Sequence, residues 1–187
     1  MQLKDCINEQ NAITAYLNNY IPNSYVESFI NNHTEVCNLI STHFTPISET
    51  FANWTTESYV QNPYHPERLI HKSISGNYLR SKSEAMIDMA LYNNKIPYRY
   101  ECQLILGDYV YFPDFTVLHP RTKKLFYWEH MGMMSNPEYA KKASDKIHIY
   151  SQNNILPEEN LILTYEFDDR PITAYDISKV INRYFLS

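Results

Sequence analysis

Apolar and polar positions alternate with two different periods along this chain, and the change of period divides it. Between Asp5 and about Tyr20, the residues Cys6, Ile7, Ile13, Leu17 and Tyr20 fall partly at helical spacing, and Ile21-Pro22-Asn23-Ser24 supplies a stop followed by a new cap. Tyr25, Val26, Phe29, Ile30, Val36, Cys37, Ile40 and Phe44 predict a second helical stretch that weakens at Asn31-Asn32 and ends at Pro46. A third helix is expected over Ser48–Tyr59, before the proline-dense turn Asn62-Pro63-Tyr64-His65-Pro66. These features place a domain boundary near residue 70, with a helical N-terminal region over 1–72 and a second domain over 73–187.

Beyond Gly76 the pattern becomes a sequence of alternating elements. Ser81-Lys82-Ser83-Glu84 leads into a helix whose apolar side carries Met86, Met89 and Ala90, and Asn93-Asn94 stops it. Tyr98–Leu106 reads as a strand, Gly107-Asp108 as a hairpin turn and Tyr109–Leu118 as the partner strand; His119–Lys123 makes a second turn and Leu125–His130 a third strand. Asn136-Pro137 opens a helix reaching about Gln152, because a capping residue followed by proline suits the first turn. Leu161–Tyr165 is a short apolar strand, and Thr173 to Phe185 is an amphipathic closing helix. The order helix, three strands, helix, strand, helix predicts an α/β fold built on a hairpin meander.

Composition narrows the functional classes. Of 187 residues only 3 are glycine, which leaves little room for a glycine-rich phosphate cradle. Cys6, Cys37 and Cys102 lack paired-ligand spacing and read as reduced thiols, which argues against a structural zinc site. A formal net charge of -5 argues against a wholesale basic grip on nucleic acid, although a local basic face can coexist with it. With no long apolar run and no signal-like N-terminus, the expectation is a cytoplasmic protein without a membrane partner.

The candidate chemistry lies in the strands. Tyr111-Phe112-Pro113-Asp114-Phe115-Thr116 and Phe126-Tyr127-Trp128-Glu129-His130-Met131-Gly132 each embed one carboxylate in a run suited to a buried strand, where an ionised group costs several kcal/mol unless paired or bound to a cation. Strand alternation puts Phe112, Asp114 and Thr116 on one side and Leu125, Tyr127 and Glu129 on one face of the next strand, so Asp114 and Glu129 can converge. Such a pair can hold Mg²⁺ or Mn²⁺ through carboxylate oxygens. Taken singly, each acid is better explained as a solvated strand end or the partner of a nearby lysine; together, their order, spacing and strand context favour the shared site.

On these residues the chain resembles the PD-(D/E)XK, or restriction endonuclease-like, nuclease superfamily. Pro113-Asp114 is similar to its PD element, Glu129 to the acid on the following strand and Glu84 to the glutamate on the preceding helix. The resemblance covers roughly residues 78–166. The string from Tyr127 to Met133, with Asn136–Tyr139 after it, is similar to a bacterial branch of nuclease-like proteins. It implies a restriction endonuclease-like core with a helical N-terminal extension, phosphodiester hydrolysis assisted by Mg²⁺ or Mn²⁺ on Asp114 and Glu129, DNA rather than RNA as substrate, and a homodimer.

The chain departs from the family pattern at Met131, which stands where the pattern has lysine. Members exist in which that lysine has migrated to the neighbouring helix, and here Lys141, Lys142 and Lys146 lie on it, with Lys142 and Lys146 sharing a face with Tyr139 and Tyr150. Lys146 is the first choice for the catalytic cation and Lys142 the second, against a solvated helix face. Lys82 could contact a phosphate. Glu84 also fits a capping box with Ser81. His130 has the opposite strand parity from Glu129 and reads as a packed or surface residue. Tyr98, Arg99, Tyr100, Tyr109 and Tyr111 could stack bases but read first as strand packing. The acids and the helix lysine favour an active nuclease. Met131 and the acidic balance permit a nuclease-like module that binds nucleic acid or protein without catalysis.

Overall fold

Ser81 starts helix α1 (Lys82–Asn93) by accepting a hydrogen bond from the Glu84 amide at 3.1 Å. Ile87 and Leu91 of α1 are fully buried, and the apolar face they form explains why this segment docks on a sheet. The computed structural model describes Trp54 and residues 56–186, all within one compact unit, Thr50–Ser187. The helices expected over Asp5–Tyr20 and Tyr25–Phe44 lie outside the described residues, as does most of the one over Ser48–Tyr59, where Trp54 and Thr56 are helical. Further along the 1–72 region, Gln61 bridges Cys102, Pro66–Arg68 makes a short 3-10 turn, and strand β1 (His71–Lys72) pairs with β2 (Tyr78–Leu79).

A mixed four-stranded sheet forms the centre, in the order β3 (Tyr98–Tyr100), β6 (Phe115–Leu118), β7 (Leu125–Met131), β8 (Leu161–Tyr165). The first two pairings are antiparallel and β7–β8 is parallel. A parallel pair needs a crossover, supplied here by α2 (Pro137–Gln152). Asn136 caps α2 by accepting from the Glu138 and Tyr139 amides at 2.9 and 3.2 Å. The last helix, α3 (Ala174–Ile181), begins with a capping box between Thr173 and Asp176 and passes into a π turn over Asn182–Leu186. The protein is therefore α/β, with this order of elements.

Two of the expected strands are divided. The hairpin Tyr98–Leu106 with Tyr109–Leu118 keeps one register throughout, Tyr100 opposite Phe115 and Leu104 opposite Tyr111, but 101–103 and 112–114 leave the ladder. The outer part is a separate pair, β4 (Leu104–Leu106) and β5 (Tyr109–Tyr111), joined at Gly107 with φ 59°. The break has two causes: Glu101 adopts a left-handed conformation at φ 47°, and Pro113 has no amide to offer.

Each face of the sheet is covered by different helices. Phe115, Val117, Phe126, Trp128 and Ile162 pack with α1 and α3 through Ile87, Leu91, Ile177 and Ile181. The alternate positions Tyr127, Leu161 and Leu163 pack toward Tyr150 of α2. Asp88, one turn beyond Glu84, is fully buried and accepts from Ser75 at 2.7 Å, Asn77 at 2.9 Å and Tyr98 at 2.6 Å. This network pins the β1–β2 hairpin and β3 to α1. Tyr98→Phe, which keeps the ring and removes one donor to a carboxylate, is expected to lower unfolding free energy by about 1.5–3 kcal/mol in urea denaturation; an unchanged midpoint would show that Ser75 and Asn77 suffice.

Candidate active site

Continuing the β6–β7 register by one position from the Phe115–Trp128 pair sets Asp114 opposite Glu129, on the face covered by α2. Asp114 is held there from both sides. Its Oδ2 accepts from the His130 amide at 2.7 Å, and its carbonyl accepts from the Glu101 amide at 3.0 Å. Asp114 is half-buried. Burial, then the negative charges of Glu129 and Glu84, push its proton affinity well above the usual carboxylate range, with Lys146 and the His130 amide acting in the opposite direction.

Glu129, 3% exposed, is engaged by α2. Lys146 Nζ lies 2.6 Å from its Oε1, and the Tyr150 hydroxyl donates to the same oxygen at 2.7 Å. The spacing of four along α2 stacks Lys146 and Tyr150 on one helix face, so both reach one carboxylate. Burial lowers the proton affinity of Lys146, but Glu129 and Asp114 outweigh it and the net shift is upward. The lysine is therefore a firmly charged cation at neutral pH. Burial, then Glu129, raises the Tyr150 phenol, which remains a hydrogen-bond donor. Tyr139, in the first turn of α2, is also shifted up by burial and then by Asp114, and it lies against the Gly132 backbone.

Glu84 combines the helix-start role with proximity to the acids. Its Oε1 accepts from the Ser81 hydroxyl at 2.7 Å, while Oε2 accepts from the Arg80 amide at 3.2 Å and the Tyr100 hydroxyl at 2.6 Å. The side chain thus reaches the amide one residue before the cap rather than that of Ser81, and its charge still acts on Asp114.

The structure brings Asp114, Glu129 and Lys146 together, with Glu84 at the edge. Lys82, Lys141 and Lys142 are exposed and not in the ion pairs that Lys146 makes. Met131, 4% exposed, is packed in the strand. His130 points to the other face, where it meets Thr164 at 3.1 Å and Glu166 at 3.0 Å, as strand parity requires. Tyr150, Tyr139 and Tyr100 join the site without having been singled out for it. For the first two the signal was their shared helix face with Lys146; for Tyr100 the bond to Glu84 depends on tertiary docking alone.

The donor chemistry suits a hard divalent cation. Asp114 and Glu129 each have one oxygen committed, and among the described residues Asp114 Oδ1 and Glu129 Oε2 accept no hydrogen bond. The negative charge crowded around Asp114 is also what a bound cation would relieve. Among the described residues, no group of three or more His, Cys, Asp or Glu side chains is placed to hold a metal ion. No helix among the described residues is long and apolar enough to cross a membrane. No protein-family model, curated protein or solved structure matches the chain.

Proposed function

We propose that this protein is a metal-dependent nuclease with a restriction endonuclease-like core, hydrolysing phosphodiester bonds in nucleic acid, DNA in preference to RNA. The observation that carries this reading is the placement of Lys146, delivered by the crossover helix to 2.6 Å from Glu129 and opposite Asp114, although the strand position two residues after Glu129 is Met131. A fixed cation beside two converging acids is one arrangement that can stabilise the charge developed in phosphodiester hydrolysis.

Asp114 and Glu129 would hold Mg²⁺ or Mn²⁺, which when bound supplies charge neutralisation at the phosphate and a more acidic water. Lys146 fixes the orientation of Glu129 and places positive charge where the attacking oxygen and the phosphate gain negative charge. Tyr150 shares the load on Glu129 Oε1, so that Oε2 keeps its aim. Glu84, held by Ser81, Arg80 and Tyr100, adds negative charge at the edge of the site and strengthens its preference for a cation. A homodimer would supply two such sites.

A second reading, a nuclease-like module that binds nucleic acid without cutting it, draws on Met131 and on the net charge of -5. One assay separates the two. Mixed DNA and RNA substrates are incubated with Mg²⁺ or Mn²⁺ and with wild type or Asp114→Ala; metal-dependent cutting by wild type that the variant lacks is the expected result. Folded wild type that leaves every substrate intact would exclude the nuclease, and cutting that survives Asp114→Ala would exclude this site.

A further inference from the structure

The turn 62–66 carries a largely exposed aromatic ring. Tyr64 is 65% exposed, and its ring meets Phe112 edge-on at 6.4 Å between centroids, with planes at 76°. Phe112 stands two residues before Asp114. The ring is offered to solvent, but the backbone beneath it is firmly held. The Tyr64 amide donates to Asn62 Oδ1 at 3.0 Å, and the carbonyls of Tyr64 and His65 accept from Arg80 at 2.6 and 2.7 Å. Arg80 is itself locked by a two-point pairing with Glu101 at 2.6 and 3.0 Å. His65 takes a left-handed conformation at φ 54°, which a non-glycine residue adopts only when its surroundings impose it.

Each end of this clamp leads to the candidate site. The Arg80 amide donates to Glu84, and the Glu101 amide donates to the Asp114 carbonyl. The same residues that position the acids therefore also fix where Tyr64 stands. With 21 acidic residues against 16 Lys and Arg, the chain carries no general excess of positive charge for a phosphate backbone, which gives weight to a contact with a base.

From this arrangement we infer that Tyr64, backed by Phe112, is a stacking platform for an unpaired nucleobase next to the phosphate at the Asp114–Glu129 site, which makes single-stranded nucleic acid the preferred substrate class. A base presents a π face whatever its sequence, so the platform is sequence-tolerant, whereas a base inside a duplex is already stacked and unavailable. The inference rests on the nuclease reading for its position but not for its binding energy.

The test is a short single strand carrying a central 2-aminopurine, as DNA and as RNA, beside the same DNA as a duplex. Binding is followed in chelator by fluorescence quenching and anisotropy, and cleavage is followed separately with Mg²⁺. Wild type is expected to quench the single strand and to hold it more tightly than the duplex. Tyr64→Ala should weaken single-strand binding about 10- to 100-fold, Tyr64→Phe should restore it, and duplex binding should not change. Because Tyr64 is anchored by its backbone, the alanine variant keeps the turn. Single-strand binding by Tyr64→Ala equal to wild type, an equal loss on single strand and duplex, or no quenching by wild type would overturn the platform. Cleavage with no effect of Tyr64 removes the platform and leaves the nuclease; Tyr64-dependent binding without cleavage does the reverse. The DNA and RNA arms decide which sugar the platform tolerates.

Discussion

Asp114→Asn is expected to make the metal-free protein more stable at neutral pH, by about 1–2 kcal/mol, while abolishing the proposed nuclease activity. Burial, then the negative charges of Glu129 and Glu84, raises the folded-state pKa of Asp114 above that of the unfolded chain. Between those two pKa values the folded protein binds more protons than the unfolded one, and stability falls as pH rises through that window. Asparagine keeps the acceptor for the His130 amide and removes the charge. The advantage of the variant should be absent below the unfolded carboxylate pKa of about 3.9, open as pH climbs and be complete above the folded value. Urea denaturation in chelator across this range measures it. A variant less stable than wild type at neutral pH, or a difference independent of pH, would contradict the electrostatic account. Added Mg²⁺ should then stabilise wild type and leave Asp114→Asn unmoved, since only a folded site that binds the ion gains from it.

Legibility from sequence followed the range of the interactions involved. α2 could be read from Asn136-Pro137 through Gln152, and β8 from the apolar run Leu161–Tyr165, because cap chemistry and periodicity are local. Strand parity placed His130 away from Glu129 for the same reason. The division of the hairpin could not be read this way. Pro113 was visible, but the left-handed Glu101 is sustained by Arg80, twenty-one positions earlier in the chain. The closing helix was anticipated to Phe185 as one element, yet the regular α turn stops at Ile181, and the wider turn that follows seats Phe185 in the core. In the candidate site, the spacing of Lys146 and Tyr150 gave them a common face, while their meeting at one oxygen of Glu129 required the docking of α2 on β7.

That meeting yields the second large effect. Lys146→Met should destabilise the fold by about 3 kcal/mol and slow cleavage at least about 100-fold. Methionine fills much the same volume as the lysine stem, so the loss isolates the ammonium group from its packing. Without it Glu129 remains almost fully buried beside Asp114, with the Tyr150 hydroxyl its one remaining side-chain donor among the described residues. An uncompensated buried charge costs far more than the ion pair was worth, because the pair had to overcome the desolvation of both partners. The double variant Lys146→Met/Glu129→Gln should therefore recover most of the lost stability, since glutamine can still accept from Tyr150 and carries no charge. It should recover no activity. Denaturation midpoints for the wild type, both single variants and the double variant close a cycle whose interaction energy reports the pair directly. Additive losses across that cycle would mean that Lys146 and Glu129 act independently. Full activity in Lys146→Met would hand the cationic role to another lysine, with Lys142, one turn earlier on the same helix face, the next to replace.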